Sequence, residues 1–217
     1  MIINLSREHS LITNWVSELR DVNIHNDRLR FRRNLERIGE VAALEISKLL
    51  PWIEKDIQTP LGVHKSKVLK EQPIIATILR AGLAMHEGVL NYFDKADNAF
   101  VSAYRKHNDK NGFDIILDYV SSPAITDRVL IISDPMLATG RSLAKTIIAL
   151  EHLGKPANIY IIAAIASREG IAYLQDAIGG EINLWCGDID EELDENGYIV
   201  PGLGDAGDLA FGEKLQH

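Results

Sequence analysis

The 217 residues predict an α/β protein built on a mainly parallel central sheet flanked by helices. Three observations carry that expectation. Apolar runs of strand length recur at 74–79, 129–132 and 159–166. Each run is followed by a short loop of charged, hydroxyl and glycine residues. Each loop then gives way to helical periodicity, and strand–loop–helix repeats of this kind join parallel strands through crossover helices.

Composition sets the outer bounds. Apolar residues make up 46% and charged residues 25%, as in an ordinary globular protein. The net charge of -8 argues against general binding to nucleic acid or membrane surfaces. The one cysteine, Cys186, excludes an internal disulfide and a cysteine zinc cluster. No apolar run approaches the ~20 residues of a membrane helix, and the N-terminus lacks the basic–apolar–small order of a signal peptide. A cytoplasmic protein is the expectation.

Residues 1–56 read as helical. Leu11, Trp15 and Leu19 recur at helical spacing, then Phe31, Leu35, Ile38, Ala42, Ile46 and Leu49, with Pro51 as the stop. Arg28, Arg30, Arg32, Arg33 and Arg37 make this stretch basic. Glu36 and Glu40 are interspersed, so a solvated or subunit-facing surface is preferred to a nucleic-acid patch. Residues 57–70 follow as a hairpin or extended arm turned by Pro60 and Gly62.

The core sheet is expected within 73–190. Ile74 to Leu79 is a buried strand, Arg80-Ala81-Gly82 a loop, and Leu83 to Phe93 a helix. An Arg at a strand's carboxyl end can grip a phosphate with its planar fork, although a surface Arg paired with a carboxylate is the plainer alternative. His86 falls inside the helix and reads as structural. Phe100 to Tyr104 is a strand ending in Arg105, and Phe113 to Val120 returns, with the polar segment 106–112 between them.

The stretch Val129 to Ser142, VLIISDPMLATGRS, is the most informative. A strand of four apolar residues leads to Asp134-Pro135, then Met136-Leu137-Ala138-Thr139-Gly140-Arg141-Ser142, then a helix with Leu143, Ile147, Ile148 and Leu150 on one side and Gly154 as its stop. Ligands of α/β sheets bind at the carboxyl ends of strands. A helix start there offers unpaired N–H groups and the positive end of a dipole to an anion. Thr139 and Ser142 add hydroxyls, and Gly140 lets the backbone approach. Asp134 would repel phosphate but accept hydrogen bonds from a sugar diol. A carboxylate followed by a phosphate cradle suits a ribose 5-phosphate; an ordinary strand-to-helix turn is the alternative.

Ile159 to Ala166 is a further buried strand, leading through Ser167 into a helix, and Glu181 to Trp185 a last short one. In the C-terminal stretch 195–212, Gly202, Gly204 and Gly207 formally satisfy G-x-G-x-x-G. The ten residues after Gly207 (217 minus 207) cannot supply the helix and strand of a dinucleotide unit. An irregular loop with exposed backbone groups is expected instead.

Several of these stretches resemble uracil phosphoribosyltransferases. DPMLATG followed by Ser142 is similar to their loop for 5-phosphoribosyl pyrophosphate (PRPP), with Asp-Pro in place of the two acidic residues usual in type I phosphoribosyltransferases. LRAG at 79–82 resembles the pyrophosphate loop, Tyr104-Arg105 the start of a hood around 105–120, TPLG at 59–62 the arm, and YIVPGLGDAGD at 198–208 the uracil loop. The resemblance implies a type I phosphoribosyltransferase fold over a single 1–217 domain and the reaction of uracil with PRPP to give UMP and pyrophosphate. It implies catalytic roles for Arg80, Arg105 and Asp134. It implies PRPP contacts from these, from Pro135, Met136, Leu137, Ala138, Thr139, Gly140, Arg141 and Ser142, and from Asp205. Uracil would meet the backbone of Ile199, Gly204 and Ala206, with Asp205 nearby. Mg²⁺ would be held mainly by PRPP, near Asp205, and the chain would form a homodimer or larger assembly. Three departures stand out: Lys106-His107-Asn108-Asp109 where the family has an acidic Glu-Glu-Thr run, Arg141 in place of a second Gly, and Leu209-Ala210 where an Arg is common. Transfer to another nucleobase, or a non-catalytic sensor of pyrimidine nucleotides, are the competing expectations.

Overall fold

The computed structural model describes residues 1–107 and 113–215, and the side chains of these except 104–107, 113 and 114. Segment 108–112 of the expected hood, and the side chains of Tyr104 and Arg105, therefore lie outside the described residues.

The N-terminal region is not purely helical. It opens with strand β1 (Ile2–Asn4), then α1 (Leu11–Arg20) and α2 (Arg28–Ser47). β1 is too short for its period to register in the sequence, and it gains its partner only from β10, near the far end of the chain. Ser10 caps α1, and Ile12, Val16 and Leu19 form its buried stripe. Leu11, expected inside, is 69% exposed, and Trp15 sits partly buried with the Arg37 guanidinium 5.6 Å from its ring. The hairpin β2 (Trp52–Thr59) and β3 (Gly62–Leu69) begins directly after Pro51, five residues before the expected arm; α2 has already ended at Ser47, and Pro51, which cannot continue a helix, follows the turn at 48–50.

The strand–loop–helix repeats follow, with bounds shifted at several ends (β5 starts at Asp97 and α3 ends at Leu90) and with Met136–Leu137, expected as loop, forming a short strand: β4 (Ile74–Leu79), α3 (Leu83–Leu90), β5 (Asp97–His107), β6 (Phe113–Ser121), β7 (Val129–Ser133), β8 (Met136–Leu137), α4 (Arg141–Glu151), β9 (Asn158–Ser167), α5 (Arg168–Ile178) and β10 (Leu184–Asp190). The last strand runs to Asp190 rather than stopping at Trp185. After it come β11 (Glu192–Leu193), β12 (Ile199–Val200) and a short helix α6 (Ala206–Phe211), which replaces part of the irregular loop expected there. The six residues form a helix because Asp205 accepts the Asp208 N–H as an N-cap.

Among the described residues the central sheet runs β1-β10-β9-β7-β4-β5-β6, with β8 beside β9. All its pairings are parallel except β5 with β6. Period-two alternation divides the strand side chains between two cores. Ile75, Ile131, Ile162 and Trp185 pack under α1, α2 and α3. Leu130, Ile132, Ile161 and Leu184 pack against Leu143, Ile147, Leu150 and Leu174 of α4 and α5. Ile148, expected on that face, is 44% exposed. The parallel strands point the same way, so β4, β7, β9 and β10 deliver Arg80, Asp134, Arg168 and Glu191 to one edge of the sheet.

Candidate active site

The Asp134 loop is held by the strand beside it. Its N–H donates to the Ile162 carbonyl at 3.0 Å, and the Pro135 carbonyl accepts from Ala164 and Ile165. Asp134 Oδ1 accepts the Met136 N–H at 3.3 Å. Met136 and Leu137 form β8, and the Leu137 side chain is buried in the core, leaving its backbone as what it can offer a ligand. The Ala138 carbonyl accepts the Ser167 hydroxyl at 2.6 Å. Thr139 is half-buried, and Gly140 occupies the cap position of α4 at φ +73°, where a Cβ would stand 2.6 Å from the Gly170 carbonyl. No side chain caps α4 and no acidic residue lies in its first turn. Ser142 lies in that turn. Arg141, in place of the usual glycine, places its guanidinium 6.0 Å from the Tyr173 ring on α5.

The Arg80 loop meets this one at its base, where the Thr77 hydroxyl donates to the Ser133 carbonyl at 3.2 Å. The Leu79–Arg80 peptide is cis. Arg80 reaches the C-terminal segment: its Nη2 donates to Asp208 Oδ1 at 3.1 Å and to the Gly212 carbonyl at 3.2 Å. Ile199, Leu203 and Ala206 share one continuous core cluster with Ala138, against which Ala81 and Met136 pack. The structure thus brings the Arg80 loop, the 134–142 loop and the 199–208 loop together, though they are separated by up to 128 residues between Arg80 and Asp208. The Arg105 backbone belongs to β5, beside β4, and its side chain lies outside the described residues.

Burial alone would raise the pKa of Asp205. The hydrogen bond from Lys214, at 2.8 Å, and the N–H groups of Asp208 and Gly207 outweigh it and hold the carboxyl below the usual range. His86 is buried within α3: Nε2 lies 2.7 Å from Asn98 Oδ1, the ring tilts against Phe100, and desolvation pushes its pKa down. The basic residues of α2 are largely consumed by the fold. Arg30 pairs with Glu18, Arg33 with Glu36, and Arg32 donates to the Ala210 carbonyl.

Sequence reasoning missed a cluster behind the C-terminal loop. Arg20 pairs with Asp190 and Asp188, and both Arg20 and Asp190 hydrogen-bond Gly202. Its members lie 170 residues apart, and the signal available was only an Arg at a helix end and a carboxylate at a strand end. A cavity of about 640 Å³ opens between residues 25–29 and the same loop, lined by His25, Arg28, Gly204, Asp205 and Asp208 among others.

Residues 6–213 match the family model for uracil phosphoribosyltransferase. The chain belongs to the uracil phosphoribosyltransferase family. It is 54% identical over 214 residues to a uracil phosphoribosyltransferase from Porphyromonas gingivalis, covering 99% of each chain. Among solved structures, the AQ2163 protein from Aquifex aeolicus superposes over the full length of both chains with a TM-score of 0.86 and 30% identity. A hypoxanthine phosphoribosyltransferase from Staphylococcus aureus is only 12% identical, with a TM-score of 0.50 over 86% of this chain and 84% of its own, a likeness of fold alone. The fold expected from the motifs, that of type I phosphoribosyltransferases, is the one found. Within this uracil phosphoribosyltransferase scaffold, the three matching loops line the carboxyl edge of one sheet. No described helix is long and apolar enough to cross a membrane.

Proposed function

We infer that this chain transfers the phosphoribosyl group of PRPP to uracil, giving UMP and pyrophosphate. Family membership supports the reaction, and the observation that supports its placement is the junction of the three loops through Arg80, Asp208 and the carboxyl end of β7. The C1–O bond to pyrophosphate breaks as C1–N1 forms, and N1 gives up its proton. The sugar carbon takes on cation-like character, so catalysis is mainly positioning and electrostatics. Asp134 would accept the ribose hydroxyls. The backbone of 137–142, with Thr139 and Ser142, would hold the 5-phosphate at the open start of α4. Arg80 and Arg105 would meet the charge gathering on pyrophosphate; Arg80 would exchange Asp208 and Gly212 for that anion. The peptides of Ile199, Gly204 and Ala206 would read uracil. We assign no general base.

Mg²⁺ would arrive bound to PRPP, with Asp205, whose carboxyl Lys214 and the N–H groups of Asp208 and Gly207 hold below the usual range, as the nearby carboxylate. When bound, Mg²⁺ supplies charge neutralisation of the leaving pyrophosphate. The arm would dock on a second copy of the chain. A lone two-stranded hairpin is marginal in water, and this one exposes Trp52, Ile53, Leu61 and Val63.

Pyrophosphate release from PRPP, uracil and Mg²⁺ tests the reading. Asp134→Ala should lower turnover about a thousandfold, the scale of losing a group that organises the transition state, while the chain still folds, with no more than the ~1 kcal/mol loss of stability expected for its hydrogen bond from Met136. Near-normal turnover in that variant defeats the assignment. Tight UMP binding by the unaltered chain without pyrophosphate release would make it a sensor instead.

A further inference from the structure

The C-terminal loop is anchored from behind by two residues that no motif marks. Arg20 ends α1 and Asp190 ends β10. Arg20 Nη1 donates to Asp190 Oδ2 at 2.7 Å and to the Gly202 carbonyl at 3.0 Å. Its Nη2 donates to Asp190 Oδ1 at 2.8 Å and to Asp188 Oδ2 at 3.0 Å. Asp190 Oδ2 also accepts the Gly202 N–H at 3.2 Å. One ion pair therefore grips both polar backbone groups of a single residue.

Gly202 is the point where the loop turns back on itself. Its φ is +59°, and a side chain there would collide with the Ile199 carbonyl. Ile199 lies before this turn, and Gly204 and Ala206 after it. Recognition through backbone groups has a special requirement. A side chain can find its partner by changing rotamer, but a peptide plane must be held in place by its surroundings. Asp190 is only 7% exposed, so its charge is worth burying only with Arg20 opposite it.

We propose that Arg20 and Asp190 are positioning residues for base recognition, their ion pair fixing Gly202 and so aiming the peptides of 199–206 at the pyrimidine. This rests on the reading of that loop as the uracil site. The partners of the pair are Asp188, Gly202 and each other, and none belongs to the Arg80 loop or the 134–142 loop. Its loss should therefore fall on uracil and spare PRPP.

Steady-state pyrophosphate release, with each substrate varied at saturation of the other, separates the two effects. Arg20→Gln should raise the KM for uracil by about ten- to a hundredfold, the range for losing a charge-assisted hydrogen bond. The KM for PRPP should stay within about twofold. Arg20→Lys should show a smaller rise in the same direction, since an ammonium cannot span the fork. Arg20→Gln leaves Asp190 unpaired. If that variant does not fold, R20Q/D190N removes both charges and decides the matter, and Arg20→Lys, which keeps the charge, decides it if the double variant also fails. An unchanged KM for uracil, or equal rises for both substrates, overturns the proposal while the parent enzyme remains active. An inactive parent would defeat the uracil-transfer reading instead.

Discussion

β7 and β9 are neighbours in the sheet, and each leads into a helix, β7 through the 134–140 loop and β9 directly at Ser167, yet the two helix starts are built in opposite ways. At α5 the dipole is answered from within: Ser167 accepts the Gly170 N–H at 2.8 Å, and Glu169 sits in the first turn. At α4 the cap position holds Gly140, which has no side chain to offer, and the first turn carries Arg141 and no acid. One helix start carries a side-chain cap and an acid of its own, whereas the other has neither, which is the kind of start that the proposed 5-phosphate site would use. The self-satisfied start also steadies the open one, because Ser167 donates to the Ala138 carbonyl in the middle of the neighbouring loop.

The sharpest way to break this contrast is to make α4 resemble α5. Ser142→Asp places a carboxylate in the first turn of α4. It should stabilise the fold by about 0.5 kcal/mol through the dipole, while raising the KM for PRPP by about tenfold or more through repulsion of the 5-phosphate. Urea denaturation and pyrophosphate release read the two effects separately. A more stable variant with an unchanged KM for PRPP would mean that the open start of α4 is not where the phosphate sits.

The reverse change tests the support. Ser167→Ala removes the α5 cap together with the buried hydroxyl bonded to Ala138. A stability loss of about 1–2 kcal/mol is expected, along with a KM for PRPP raised a few-fold as the loop loosens. If the stability falls and the KM does not move, the two turns are neighbours without being coupled.

The two turns also differ from the C-terminal loop in how much of them could be read beforehand. The Asp134 loop is legible because its parts are consecutive: an apolar strand run, a carboxylate, hydroxyls, a glycine and a helical stripe follow within 14 residues from 129 to 142. The Arg80 loop is legible for the same reason. The C-terminal loop announced its glycines but not what fixes them, since Arg20 and Asp190 meet only after folding and neither sits in a local pattern. α6 was hidden because glycines on either side of it suggested irregular chain, while its stability depends on one capping carboxylate. β1 is three residues whose extended state exists only beside β10. The stripe of α1 was misjudged by one residue because Leu11 and Trp15 are as apolar as Ile12 and Val16. What decided between them was the packing of the helix on the sheet, which no local period contains.

α6 is a further helix start at this edge of the molecule, and it lies between those of α4 and α5 in kind. Its cap is internal, as in α5, yet the capping residue Asp205 is also a candidate contact for PRPP. Its charge is maintained by a balance: burial works against ionisation, and Lys214 with the N–H groups of Asp208 and Gly207 wins. A carboxyl whose pKa is lower in the folded chain than in the unfolded one stabilises the fold above the unfolded value, about 4. That contribution is complete at neutral pH and disappears as the pH falls through the folded value. Lys214→Met removes the main favourable partner and leaves the burial penalty. The variant should therefore be less stable than the parent at pH 7, and the gap should close toward pH 3. Lys214 is 38% exposed, so solvent screening keeps the difference below about 1 kcal/mol, the smallest effect expected. Urea denaturation at the two pH values measures it. A gap that stays constant with pH would assign Lys214 a packing role and leave the charge of Asp205 to the helix N–H groups alone.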